Sequence, residues 1–415
     1  MLDSDASTPI RRTSAEPEPL LVVAFQTESR ANGGLTSLGL VLERLERFRP
    51  VIVTQVESSL TDAWRRSGFD VRTVRLPHPA RSADLVHRVV AFGRRAPALV
   101  AGQVEIFRRV RSTGARVVYF NDQNAFAFGA LGARLAGAVV VLALRDTTGI
   151  DRWRWFSAAG VADVVVSLSR DMQARFERHL DARDPRRRVP RPEFVVVPSI
   201  AEVAPRSADR ASSRREFGIA EGAFAIGVVG AVIPRKRQRD LVTALGPKLA
   251  AMDAELVFLG DFDPARDAYA SSCVEARRAS GAAERIRFEG FRSDVARWYD
   301  ALDLVVVGSD HEGLARGMIE ALAHGVPVVS TDVCSAPEVL DASGAGVVVP
   351  VGDFGALADA VVAMAADRES LARRGESARA FVAATFEARR IGLAYDRLFE
   401  RLAATRPATS RTAST

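Results

Sequence analysis

The chain has 415 residues, 48% of them apolar and 26% charged, and a formal net charge of +6. That length exceeds a single core and suits two domains of ordinary size, with the balance of a soluble globular protein rather than a disordered or fibrous one. No apolar run is long enough to span a bilayer, the N-terminus lacks the apolar core of a secretory signal, and Cys273 and Cys334 sit in unrelated contexts without metal-ligand spacing, so a reduced, cytoplasmic location is expected.

In chain order, residues 1–18 are polar and rich in Ser, Thr, Pro and Ala, as are 405–415, and both are expected to be disordered. From Leu20 onward, short apolar runs alternate with helical stretches: LLVVAF at 20, VIVTQV at 51, VRTVRL at 71, RVVYFN at 116, VVVLAL at 139, VVVSLS at 164 and FVVVPS at 194. This alternation predicts a parallel sheet with crossover helices, a Rossmann-like domain over 19–200. A polar stretch from Glu202 to Arg215 predicts a hinge, giving a linker over 201–216. A second series then begins, AIGVVG at 225, ELVFLG at 255, IRFEGF at 286, two strands between Leu302 and Thr331, and GVVVPV at 346, which predicts a second domain of the same class over 217–380. The last helical stretch, about Ala378 to Ala403, carries Phe381, Ile391, Leu393, Leu398 and Leu402 at apolar positions.

Charge is divided unevenly. Residues 1–198 hold 30 basic and 21 acidic side chains, and 199–415 hold 27 and 30, so the basic excess belongs wholly to the first half. Much of it lies in Arg94, Arg95, Arg108, Arg109 and Arg111 and in the cluster Arg183, Arg186, Arg187, Arg188 and Arg191. Such a field suits an anionic acceptor or the anionic inner face of a membrane, while solvated arginines are the simpler explanation. Nucleic acid is not expected as a partner, because the basic runs lack interleaved aromatics and no recognition motif accompanies them.

The most informative stretch is LDLVVVGSDHEGLARGMIEALAHGVPVVST, Leu302 to Thr331. It reads as strand, loop, helix, strand: Met318, Ile319, Ala321 and Leu322 fall at helical spacing, Gly325 stands at the helix C-terminus and Pro327 opens the next strand. Glu312 lies in the loop and Glu320 eight residues on in the helix. In open α/β sheets ligands settle beyond the carboxyl ends of the strands, where a helix N-terminus offers unpaired N–H groups to a phosphate. Eight mostly helical residues cover roughly 12 Å, enough for two carboxylates to reach hydroxyls on either side of a diphosphate. Solvated helix-end acids are the competing explanation. Earlier, GVVGAVIPRKRQRDLVTAL from Gly227 puts a glycine turn, Gly230, after a strand, with Arg235 and Lys236 following it; bare backbone there admits a diphosphate that the two bases neutralise.

Ser309 to Val329 resembles the E-x7-E signature of the group 1 (family 4-like) retaining glycosyltransferases of the GT-B fold, and the likeness extends over nearly the whole chain. Leu314 and Ala315 replace the family's usual Phe-Gly. The resemblance implies two Rossmann-like domains facing across a cleft, with the donor in the second domain, the acceptor in the first, and a final helix, 381–404, crossing back onto the first. It implies that Glu312 orients the sugar, Glu320 takes the ribose hydroxyls, and Arg235 and Lys236, with the backbone of Gly313, Leu314 and Ala315, serve the phosphates. Lys236 matches the lysine of the family's G-R-L-x-x-x-K-G, whereas its arginine position is Ala231. Gly33 and Gly34 resemble the glycine-rich first loop. Arg145 stands where relatives carry a histidine near the reacting sugar, and Ser335-Ala336-Pro337-Glu338 where they have Gly-Gly-x-x-Glu; His311 lies beside the first glutamate.

The activity so implied is transfer of a sugar from UDP- or GDP-sugar to an acceptor hydroxyl with retention. Its expected setting is bacterial surface polysaccharide or lipid-linked glycan synthesis, in the cytoplasm or peripherally on the inner face of the plasma membrane. The partners are then a nucleoside-diphosphate sugar, a saccharide or lipid-linked acceptor and an anionic membrane met by the basic half. No metal or cofactor is expected: Asp261-Phe262-Asp263 reads as a turn, and His78, His87, His179, His311 and His324 are scattered. A sugar-nucleotide 2-epimerase, or a non-catalytic sugar-nucleotide-binding or membrane-associated scaffold, are the alternatives.

Overall fold

The computed structural model describes residues 16–25, 33–74, 85–145, 160–186, 188, 190–200, 209–333 and 335–405. Residues 1–15 and 406–415 of the expected terminal tails, the first half of the hinge, His78, Asp146, Thr147, Arg187 and Cys334 lie outside them, as do the side chains of 85–96, while Glu18, at the end of the first expected tail, already belongs to the first strand. The chain divides into two compact units, one of Met1–Ile200 with Ala388–Thr415 and one of Ala201–Glu387.

The first unit runs β1 (Glu18–Val23), α1 (Gly33–Leu42), β2 (Phe48–Thr54), α2 (Ser59–Arg66), β3 (Asp70–Thr73), α3 (Leu85–Thr113), β4 (Val117–Phe120), α4 (Gln123–Leu135), β5 (Val139–Ala143), β6 (Val164–Ser167), α5 (Arg170–Arg183) and β7 (Glu193–Val196). Its strands form one sheet in the order β3-β2-β1-β4-β5-β6-β7, with parallel pairing throughout. Valine-rich strands such as β5 and β6 are buried from end to end, as a parallel sheet covered on both faces requires.

The second unit holds α6 (Arg210–Glu216), β8 (Phe224–Val229), a 3-10 turn at Pro234–Lys236, α7 (Gln238–Leu249), β9 (Ala254–Leu259), α8 (Ala268–Ala279), β10 (Ile286–Phe288), α9 (Val295–Ala301), β11 (Leu304–Val307), α10 (Arg316–Ala323), β12 (Val328–Thr331), α11 (Ala336–Ser343), β13 (Gly346–Val349), α12 (Phe354–Ala366) and α13 (Arg368–Thr385). Its sheet order is β10-β9-β8-β11-β12-β13, again parallel. Each sheet therefore reverses its winding once, between β1 and β4 in the first unit and between β8 and β11 in the second. Thirteen strands were legible as apolar runs, and all thirteen are present.

Two local expectations are corrected. The final helical stretch, read as continuous from Ala378 to Ala403, is two helices, because α13 ends at Thr385 and α14 (Ala388–Ala404) begins anew after the buried Phe386. Helix α14 belongs to the first unit. There the Asp396 carboxylate accepts hydrogen bonds from the amides of Glu46 at 2.8 Å and Arg47 at 3.3 Å, and Phe399 packs edge-on against Phe48 and Tyr119. The polar stretch read as hinge up to Arg215 ends in α6, whose Arg214 is buried. Long-range charge overrides local polarity here: Asp303, at the start of β11, takes Arg210 at 2.6 Å, Arg214 at 3.2 Å and Arg368 at 3.2 Å, and also accepts the Ala225 amide at 2.9 Å.

Removing the acid from this cluster leaves the buried Arg214 uncompensated, which costs far more than losing a surface pair. Asp303→Ala is expected to destabilise the second unit by about 3–5 kcal/mol, read as a lower midpoint in urea unfolding, while the exposed Lys248–Asp359 pair, removed by Asp359→Ala, changes stability by less than about 1 kcal/mol.

Candidate active site

The carboxyl ends of the second sheet are built for close approach. Strands β8, β9 and β10 are followed by Gly230, Gly260 and Gly290, all at positive φ. A side chain at Gly260 would stand 2.1 Å from the Gly230 carbonyl oxygen, so backbone there meets backbone with no room between. Gly308 after β11 is similarly closed, by Leu241 at 2.9 Å.

At the β8/β11 switch point two loops meet. From the β8 loop come Arg235 and Lys236, on the 3-10 turn; from the β11 loop comes Glu312. Lys236 Nζ lies 2.5 Å and an Arg235 guanidinium nitrogen 3.2 Å from the same Glu312 carboxylate oxygen, which also accepts a 2.7 Å hydrogen bond from the Ser309 hydroxyl. Arg235 further donates to the His311 carbonyl at 3.3 Å. Burial by itself pushes the Glu312 carboxyl up, but Lys236, Arg235 and the Ser309 hydroxyl outweigh it and hold it below the ordinary glutamate range. The two cations and the anion thus form one partly buried cluster, with Lys236 also lying against Gly230.

Beside it, α10 starts at Arg316 with Ala315 as its N-cap, a residue whose methyl group cannot bond the first N–H groups of the helix. Gly317 brings this helix start against the end of β8, where a side chain would stand 3.3 Å from Val229. A recess between the strand ends is lined by Val229, Lys236, Ser309, Ala315 and Gly317. Gly313 is buried and Leu314 half-buried in the intervening loop. Further into α10, Glu320 accepts from Arg316 at 2.6 Å and from the Tyr299 hydroxyl at 3.1 Å. Burial, then the Glu320 charge, raises the Tyr299 hydroxyl well above its ordinary value, so it stays a donor. Glu338 lies in the first turn of α11, half-buried, behind Pro337.

The remaining residues singled out from the sequence belong to the first unit. Gly33 and Gly34 are the first two residues of α1, and the loop before them lies outside the described residues. Arg145, just past β5, folds onto Asn121, whose side-chain oxygen it meets at 2.5 and 3.0 Å, and onto the Tyr119 hydroxyl at 2.9 Å. Sequence reasoning missed five residues that hold the site: Ser309, Tyr299, Arg316 and the paired Arg237 and Asp310. Arg237 sits in the left-handed region at φ 57, and its Nε–H is shared between both Asp310 carboxylate oxygens, at 2.8 and 2.9 Å. A non-glycine residue there stores strain of about 1–2 kcal/mol. The run of three bases was the available signal, because two neighbouring acids, Asp310 and Glu312, lie in the facing loop.

Residues 223–367 match the family model described as Glycosyl transferases group 1. N-acetyl-alpha-D-glucosaminyl L-malate synthase of Bacillus anthracis is 27% identical over 191 residues, 46% of this chain and 49% of that one. The GDP-mannose-dependent alpha-(1-6)-phosphatidylinositol monomannoside mannosyltransferase of Mycobacterium tuberculosis is 28% identical over 303 residues, 68% of this chain and 74% of that one. The chain therefore spans about half the length of the Bacillus relative. Among solved structures, Anabaena HepE in complex with UDP and glucose superposes with a TM-score of 0.73 at 18% identity, covering 93% of this chain and all of that one.

Because the folded-state value of Glu312 lies below that of the unfolded chain, acid favours the unfolded state, which binds the proton more readily. The stabilisation that Glu312 gains from its cations is expected to be complete above the ordinary value of 4.5 and to be lost as pH falls through its depressed folded value. Urea unfolding of the wild type and of Glu312→Gln as a function of pH checks this: the two stabilities converge in acid and separate toward neutrality.

Proposed function

From the premise that this chain belongs to the group 1 glycosyltransferases of the GT-B fold, we propose that it transfers a sugar from a nucleoside-diphosphate sugar to an acceptor hydroxyl, with retention at the anomeric carbon. The observation that carries the proposal is the convergence of Lys236 and Arg235 from the β8 loop with Glu312 from the β11 loop, at the switch point of the second sheet. The donor diphosphate takes its place against Lys236, Arg235, Gly230 and the uncapped start of α10. It competes with Glu312 for the two cations, and the released carboxylate then meets the sugar hydroxyls. Glu320, presented by Tyr299 and Arg316, takes the ribose hydroxyls.

When the glycosidic bond breaks, negative charge gathers on the departing diphosphate. The same cations and N–H groups then bind more strongly than they bound the substrate, and only such a difference lowers the barrier. Protein charge supplies this compensation, and the proposal includes no metal or other cofactor. The mycobacterial relative is named for GDP-mannose and the Anabaena neighbour was solved with UDP, which supports uridine and guanosine donors as the first to try. The mycobacterial relative, named as a phosphatidylinositol monomannoside mannosyltransferase, also supports a saccharide or lipid-linked acceptor.

A panel of UDP-, GDP- and ADP-sugars is expected to contain at least one that raises the melting temperature, and Glu320→Ala to abolish that shift. With the responding donor, Lys236→Ala is expected to lower kcat by about a hundredfold or more, with a smaller change in KM. A panel without any stabilising nucleotide sugar refutes the donor site. Release of a free epimerised sugar in the absence of any acceptor refutes transfer.

A further inference from the structure

Glu320 is held from behind by more than its two immediate partners. Helix α9 carries Tyr299 and Asp300 side by side, while Glu320 on α10 and His324 at its end stand one turn apart on the same face, so the four side chains meet as two rungs. In the outer rung the Tyr299 hydroxyl donates to Glu320 Oε2 at 3.1 Å. In the inner rung His324 Nδ1 lies 2.8 Å from an Asp300 carboxylate oxygen. A carboxylate only accepts, so this contact places the imidazole proton on Nδ1.

The inner rung is dry, with the His324 and Asp300 side chains 3% and 1% exposed. The Tyr299 ring lies tilted beside the imidazole, centroids 5.5 Å apart, which couples the rungs by packing. His324 is also tied to Glu320 through the backbone, since its amide donates to the Glu320 carbonyl at 3.1 Å. At the other end of α10, Gly317 leaves room for the Tyr299 hydroxyl, which a side chain there would approach to 3.4 Å.

Packing alone does not call for this pair. Two apolar side chains would fill the same space, and a carboxylate withdrawn from water lowers stability unless its hydrogen bond is well made. What the bond adds is direction: it sets the rotation of α9 against α10 more narrowly than apolar contact, which has no preferred angle. The residue next to Asp300 is Tyr299, so the bond also aims the hydroxyl that holds Glu320 Oε2. Arg316 holds the other oxygen, at 2.6 Å from within α10.

We propose that Asp300 and His324 are positioning residues for ribose recognition, their hydrogen bond fixing Tyr299 against Glu320 and so deciding how closely that carboxylate meets the hydroxyls of the donor nucleoside. Given Glu320 as the acceptor from those hydroxyls, the reading on which this inference rests, discrimination between ribonucleotides and deoxyribonucleotides depends on a buried pair two side chains away from the ligand.

Calorimetric titration of the full chain with UDP, GDP and their 2′-deoxy counterparts tests it. The wild type is expected to prefer the tighter-binding ribonucleotide over its deoxy form by about tenfold or more, the worth of a hydrogen bond to a charged group. Asp300→Leu with His324→Leu removes the inner rung without stranding either polar partner, and is expected to cut that preference to about twofold. Asp300→Ala with His324→Ala repeats the comparison with smaller side chains should the leucine variant not fold. His324→Asn, whose side-chain amide donates from nearly the place of Nδ1, is expected to retain the preference. A merely structural role lowers the melting temperature and weakens both nucleotides alike. Unchanged preference in the paired variants, or its loss in His324→Asn, overturns the inference and leaves the ribose reading of Glu320 standing. A wild type that binds neither nucleotide, or shows no preference, overturns both.

Discussion

A carboxylate taken out of water must be compensated, and in the second unit the compensation of Glu312 organises the region around it. Ser309, Lys236 and Arg235 converge on a single oxygen of that carboxylate. To bring them there, β8 must end in glycine, the chain must turn through a short 3-10 segment, and the β11 loop must fold back beneath it. Arg237 and Asp310 repeat the pairing one step further out. The two loops are joined by charge and by one backbone hydrogen bond, from the Asp310 amide to the Arg235 carbonyl at 2.9 Å, whereas the strands beneath them are joined by apolar packing and ladders of backbone hydrogen bonds. A rigid parallel sheet sets the distance, and the charges close it.

The same division explains why two cations can sit beside a helix N-terminus without repelling each other out of place. Glu312, paired with both, holds them in register. A site of this kind is poised by its own counter-ion, since a multiply charged ligand exchanges one set of ion pairs for another and leaves no charge stranded. Glu320 is prepared in the same way. Its partners Arg316 and Tyr299 come from two different helices and fix its two oxygens separately.

Much of this was legible in the sequence, for physical reasons. Parallel strands buried on both faces must be almost wholly apolar, so runs such as VVVLA and LVVV announced themselves, and the glycines at their ends marked where backbone meets backbone. Glu312, Glu320 and Lys236 were singled out because they match the residues of a family signature, whereas spacing alone left them readable as solvated helix-end groups. What escaped was pairing at long sequence separation. Nothing in Arg214 or Arg368 points to Asp303, and nothing in Tyr299 points to Glu320, because those contacts depend on which strands become neighbours. The hinge was read as too long for the same reason: polarity marked α6 as linker, while an ion cluster draws its buried face into the second unit. The break between α13 and α14 was also hidden, because apolar spacing runs on through Phe386 although the two helices serve different units.

That last arrangement bears on how the molecule comes into being. The first unit is discontinuous: its sheet is complete by β7, yet Tyr395, Asp396 and Phe399 come from a segment made only after the whole second unit. During synthesis the amides of Glu46 and Arg47 must wait for a residue 350 and 349 positions later, and the face of Tyr119 for one 276 positions later. The intervening unit, by contrast, is one uninterrupted stretch and can mature as it emerges. Nascent chains halted before Ala388 would then hold a finished inner module and an unsealed outer one, a natural target for chaperones until the closing helix arrives.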